Sequence, residues 1–183
     1  WFGTETSGVF NYNPRENRIE AYAFNEHQQN GISSNWIKDI LVYDENTVWF
    51  ATQNGISQLN SRTGIFTNYR HDATNVNSLS DNAVRSLMKD RASCVWIGTF
   101  SSGIDFYYKG NSNFFNIGEG PVKDKGLLHP LVNAVSEDAD GSLWVGTYGG
   151  GLTNIDRVTN RSTHFSVRSP QHGRTIDCVK SLA

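Results

Sequence analysis

Five histidines, two cysteines and a few adjacent acids are the residues in this chain whose types could support chemistry. The histidines are His27, His71, His129, His164 and His172, and no two stand at a spacing that would set both rings on one metal. His71-Asp72 has the composition of a base and its orienting acid, but no serine or cysteine nucleophile motif accompanies it. The pair is therefore read as structuring a loop, and Asp81-Asn82 as turn chemistry. Gly149-Gly150-Gly151 lacks the Lys-Ser/Thr and the following helix that a phosphate cradle needs, so it reads as a hairpin turn. Glu137-Asp138 falls at a strand end and is expected to be a solvated turn. Cys94 and Cys178 are too few for a disulfide scaffold and show no metal spacing. Cys178 aligns with Ala83 and is expected to pack as a small buried apolar residue. No catalytic residue, metal or other cofactor is expected.

Composition narrows the classes further. Sixteen basic and eighteen acidic residues leave a net charge of −2, which offers no footprint for nucleic acid or an anionic membrane. No apolar run approaches the roughly 18 residues that a membrane helix requires. The chain opens directly on Trp1-Phe2-Gly3-Thr4, which reads as a core strand, so no signal peptide is expected here. Aromatics at 12% together with 17 glycines suit pleated surfaces joined by tight turns.

The elements that would position any site follow from an internal repeat. WFGT at Trp1, WFAT at Trp49, WIGT at Trp96 and WVGT at Trp144 are spaced by 48, 47 and 48 residues. Twelve residues before the last three tryptophans stand Ile37, Val84 and Val132, and Val179-Lys180-Ser181-Leu182 echoes Val84-Arg85-Ser86-Leu87. A glycine follows each Trp six or seven residues on, at Gly8, Gly55, Gly103 and Gly151. Each period holds four strand-length runs joined by turn residues, with no sustained helical pattern. Four antiparallel strands at a period of about 40–50 residues describe a β-propeller blade. The fold is thus expected to be all-β, a β-propeller with three complete blades and one split blade. Repeats are placed at about 1–36, 37–83, 84–131 and 132–178, with the next starting over 179–183. The residue two after each Trp (Gly3, Ala51, Gly98, Gly146) is expected to admit the neighbouring sheet. A segment of a larger ring is favoured over a four-bladed ring closed by residues 175–183 beside 1–4.

Particular strings resemble a known family. Asn68-Tyr69-Arg70-His71-Asp72, Asn77-Ser78-Leu79-Ser80-Asp81-Asn82 with Val84-Arg85-Ser86-Leu87, and Asp140-Gly141-Ser142-Leu143-Trp144-Val145-Gly146-Thr147 are similar to the two-component regulator propeller repeat. The first repeat departs from the pattern at 25–29 and the third at 118–121. The resemblance implies the extracytoplasmic, periplasmic sensor region of a hybrid two-component receptor of Bacteroides-type bacteria, responding to a small molecule or oligosaccharide, with any kinase lying elsewhere. The alternatives are a propeller lyase of the streptogramin-lyase kind and a non-catalytic interaction scaffold. Expected partners are a ligand and neighbouring blades or another copy of the chain, without nucleic acid or membrane contact. With the four strands of each unit called a to d and the Trp in b, strand alternation sets b–c and d–a loops on one side, with d–a loops over 25–35, 70–82, 118–130 and 167–175. Trp36, Phe100 and Tyr148 on that side are the candidate ligand-binding residues, able to stack on sugar rings.

Overall fold

The computed structural model describes residues 1–110, 113–118, 125–168 and 175–182, and all regular structure in them is β. The first sheet has three strands, β1 (Phe2–Gly3), β2 (Val9–Asn13) and β3 (Arg18–Tyr22). The second runs β4 (Ile37–Asp44), β5 (Thr47–Thr52), β6 (Gly55–Asn60) and β7 (Ile65–Tyr69). The third runs β8 (Val84–Lys89), β9 (Val95–Thr99), β10 (Ile104–Tyr107) and β11 (Phe114–Ile117). The fourth runs β12 (Val132–Glu137), β13 (Leu143–Thr147), β14 (Leu152–Asp156) and β15 (Arg161–Phe165). Every pairing within these sheets is antiparallel and sequential, the meander of a propeller blade.

Local chemistry closes the hairpins. At the c–d turns Asn13, Asn60 and Asp156 each accept the backbone N–H two residues on, from Arg15, Arg62 and Val158. These side-chain turns recur at one place in three repeats and fix the strand reversal without a neighbouring sheet. In the second and third sheets the Trp-bearing strand is buried on both faces, which is why β5 and β9 read as unbroken apolar runs. Trp49 and Ala51 face the third sheet, beside Val84, Val95 and Ile97. Val48 and Phe50 face the first, beside Val9 and Trp1.

Sheets meet where the side chain is smallest. A Cβ added to Gly3 would stand 2.7 Å from Ile37 Cγ2, and one added to Gly98 or Gly146 would stand 2.7 Å from Val132 or 2.6 Å from Val179. Ile37 and Val132 open the a strand of the next sheet and Val179 holds the equivalent place, so the small residue is the seat for the following repeat. Trp49 lies 5.7 Å from Tyr69 in a stacked pair and 5.1 Å from Tyr107 of the next sheet. Trp96 packs with Leu143, Val145 and Ile155 of the fourth sheet.

One Trp differs from its counterparts in the second and third sheets, and two expectations need correction. Trp144 is only half-buried and packs on Phe165 of its own sheet, because no later sheet covers it among the described residues. The fourth d–a connection contains a short hairpin, β16 (Val167–Arg168) with β17 (Thr175–Ile176), where a loop was expected. Residues 177–182 form no strand, yet Val179 N–H donates to Thr147 O and Gly151 N–H to Asp177 O, as at an a-strand start. Among the described residues this segment bonds to the fourth blade and not to residues 1–4. His172 and the departure at 119–121 lie outside the described residues.

Replacing Trp96 by Ala should cost about 3–5 kcal/mol of stability, the range for emptying a large buried aromatic site. Phe100→Ala, at an exposed rim position, should cost less than about 1 kcal/mol. Urea midpoints of the two variants check this, and comparable losses would refute the assigned interface.

Candidate functional site

One end of the blades is built by the last residue of the WxGT string. The hydroxyls of Thr4, Thr52, Thr99 and Thr147 donate to the carbonyls of Gly8, Gly55, Gly103 and Gly151, at 2.9, 2.8, 2.8 and 3.2 Å. The same oxygens accept backbone N–H groups from inside each b–c turn, those of Ser7, Asn54, Ser102 and Gly150. The four glycines adopt φ of 78, 89, 84 and 70°, and a Cβ there would run into the carbonyl closing the adjacent d strand. Their N–H groups donate across to the d–a loop, at Asn35, Asn82, Pro130 and Asp177. Turn, loop and a-strand start are thereby fixed side by side in every repeat.

At this end the a strands share an irregularity. Their register slips between Ile37 and Asp39, between Val84 and Ser86, and between Val132 and Ala134. The residues skipped by the ladder are Lys38, Arg85 and Asn133. They line one cavity of about 410 Å³, together with Tyr148, Cys178 and Lys180. Lys180 follows Val179 as Arg85 follows Val84, so four repeats contribute the same position.

Of the three aromatic candidates, only Tyr148 lines this cavity, and it is 59% exposed. Trp36 and Phe100 are 41% and 48% exposed on the same rim. The Lys38 ammonium lies 4.1 Å from the Trp36 ring centre and the Arg85 guanidinium 5.7 Å from that of Phe100. The aromatics therefore reach the cavity through its cations and do not form one platform. The basic residues were missed in the sequence, although their register, one residue after Ile37, Val84 and Val179, was there to read. Cys178 also departs from expectation: it is half-buried and lines the cavity instead of packing in the core.

The other residues singled out are structural. His71 Nδ1 lies 2.8 Å from Leu79 O, while Asp72 accepts both the backbone N–H and the hydroxyl of Thr74. Asp81 accepts from Ala83 N and from the backbone and hydroxyl of Ser101, tying the d–a loop to the b–c turn. Glu137-Asp138 is not a free solvated turn. Glu137 pairs with Arg91 at 3.1 Å and Arg157 at 3.2 Å, and Arg157 also reaches buried Asp90 at 3.0 Å. Asp90 and Asp138 accept the indole N–H of Trp96 and Trp144. Asp105, fully buried, accepts from Ser80 N, Ser80 Oγ and Asn116 Nδ2. Burial pushes its carboxyl above the usual range, against those bonds. Asp39 is raised for the same reason while it accepts from Leu87 N of the next blade. No cluster of metal-ligating side chains occurs among the described residues.

The two-component regulator propeller family matches residues 78–101 and 126–149, the stretches that run from a d–a loop through a Trp strand. The chain carries two-component regulator propeller repeats. Histidine kinase P4 of Formosa agariphila is 31% identical over 164 residues, which is 86% of this chain and 12% of that protein. The extracellular domain of the hybrid two-component system BT4673 of B. thetaiotaomicron superposes with a TM-score of 0.76 at 19% identity, over 99% of this chain and 23% of that one. Virginiamycin B lyase of Staphylococcus aureus gives 0.62 at 15% identity, over 88% and 49%. The chain thus spans about an eighth of its curated relative, and the two solved structures share its propeller fold.

The buried Asp105 carries a pH signature. Its folded pKa lies above the unfolded one, so the native state binds more protons between the two values and stability falls as pH rises through that window, from about 4 upward. The side-chain carboxyl carbon of Asp105, followed by NMR, should titrate above pH 4, and removing this group should flatten that part of the pH–stability curve. A midpoint below 4 would contradict the assigned burial.

Proposed function

We propose that this chain is a ligand-sensing propeller segment of a two-component receptor, working outside the cytoplasm. The observation that carries the reading is the rim cavity, which four successive repeats equip from one register position. A site assembled from several blades suits recognition, because a ligand there contacts several rigid sheets at once. The family match and the histidine kinase relative support a signalling context. The likeness to extracellular domains supports an extracytoplasmic place, and we extend it to the periplasm. The ligand we assign is an oligosaccharide, held with the help of Trp36, Phe100 and Tyr148 on the same rim. The fold alone also suits a lyase. The cavity lining favours binding, because its described residues offer an amide, a phenol, a thiol and basic groups without an acid–base pair set for proton transfer.

Titration with a panel of plant, host and algal oligosaccharides, followed by calorimetry, tests this. One class should bind, and Tyr148→Ala and Trp36→Ala should each weaken it about ten-fold (~1.4 kcal/mol) with unchanged melting temperature. Turnover of a bound sugar or of a streptogramin-type lactone would replace sensing by catalysis.

A further inference from the structure

We propose that the bulged position of the a strands forms an anion-binding ring, which takes the carboxylate or sulfate of an acidic saccharide. The inference deepens the sensing role above and rests on it. Its first support is the bulge itself. A residue left out of the ladder is re-aimed, and here the same offset recurs in three successive a strands, delivering Lys38, Arg85 and Asn133 to one cavity. Lys180 joins them from the repeat that begins at Val179.

The second support is charge. Three cations and an amide meet around about 410 Å³, a volume suited to a small saccharide, and among the described residues no acid lines it. A cleft lined by one sign concentrates the opposite charge. The described acid paired with any of these cations is Glu5, 3.8 Å from Lys38 and itself exposed. Asn133 spends one N–H on Val179 O at 2.9 Å.

The third support is how the cations are held. Lys38 and Arg85 lie over the rings of Trp36 and Phe100, which attract a cation without accepting its N–H groups in the ring plane. Among the described residues no carboxylate bonds to Arg85 or Lys180. The donors are therefore positioned and still available, the condition for oxyanion recognition. A neutral sugar would gain nothing from gathering like charges at this point.

The test uses the full chain with sodium sulfate, sodium glucuronate and glucose as calorimetric probes. Sulfate and glucuronate should compete for one site, glucose should not displace them, and added sodium chloride should weaken both. Lys38→Gln, Arg85→Gln and Lys180→Gln should each lower affinity roughly five-fold, the size of a partly exposed charge pair, and together should abolish it. Melting temperatures should hold, since these side chains are not in the core. Lys89→Gln, at the other end of an a strand, should change nothing. Equal affinity for glucuronate and glucose would overturn the ring and leave the sensing role standing. Anion binding that the three substitutions leave intact would overturn the ring as well. Binding of neither anions nor any saccharide of the panel would overturn both.

Discussion

The arrangement depends on one contact, the seat of a Val or Ile side chain against a residue with almost no side chain. Sheets in this arc exchange only a few backbone bonds with each other, so their spacing is set by side-chain packing. Gly3, Gly98 and Gly146 receive Ile37, Val132 and Val179 at distances that no Cβ would allow. Ala51 occupies the equivalent place beside Val84, within the same buried cluster. Because side chains alternate along a strand, the Trp two residues earlier projects to the same face. One residue fills the inter-sheet space with a large ring, and the next on that face empties it. A larger residue at the seat would push the following a strand outward, and the loops hung from it would move too.

The seat and the rim are covalently adjacent, which couples packing to function. The residue after the seat is the Thr that clamps the b–c turn, and three or four residues beyond lies the left-handed glycine that hands its N–H to the d–a loop. The a strand that lands on the seat then slips register at its second residue, and that residue enters the cavity. Correct stacking of two blades is therefore what sets the position of a cavity side chain relative to its neighbour from the preceding repeat. A site of this kind needs no dedicated loop architecture, because it is a by-product of the inter-blade contact.

The scaffold was legible in the sequence because its chemistry is the same in each period. Trp at a spacing of 47 or 48 residues, the small seat and the turn glycine are residue types forced by geometry, so their recurrence revealed strands, turns and blade interfaces. The cavity was less legible for the opposite reason. Lys38, Arg85, Asn133 and Lys180 share a place but not an identity, and a bulge leaves no compositional mark. Glu137 was misread as solvated because its partners Arg91 and Arg157 arrive from the turns after β8 and β14, 46 and 20 residues away in sequence. Trp144 carries the motif of Trp49 and Trp96 yet is only half-buried, because burial belongs to a pair of sheets and is not a property of one strand.

The repeat thus separates two kinds of position. At the seat, the clamp and the turn, the backbone admits almost no choice, and the four copies agree. At the rim, packing leaves the choice open, and the copies diverge: Trp36, Ala83 and Leu131 stand at one equivalent place, and Glu5, Gln53, Phe100 and Tyr148 at another. A sensor needs this division, since a ligand must be matched by side chains that can change without moving the frame that carries them. Specificity in such a propeller is accordingly written in the differences between its repeats, at positions whose geometry their similarities have already fixed.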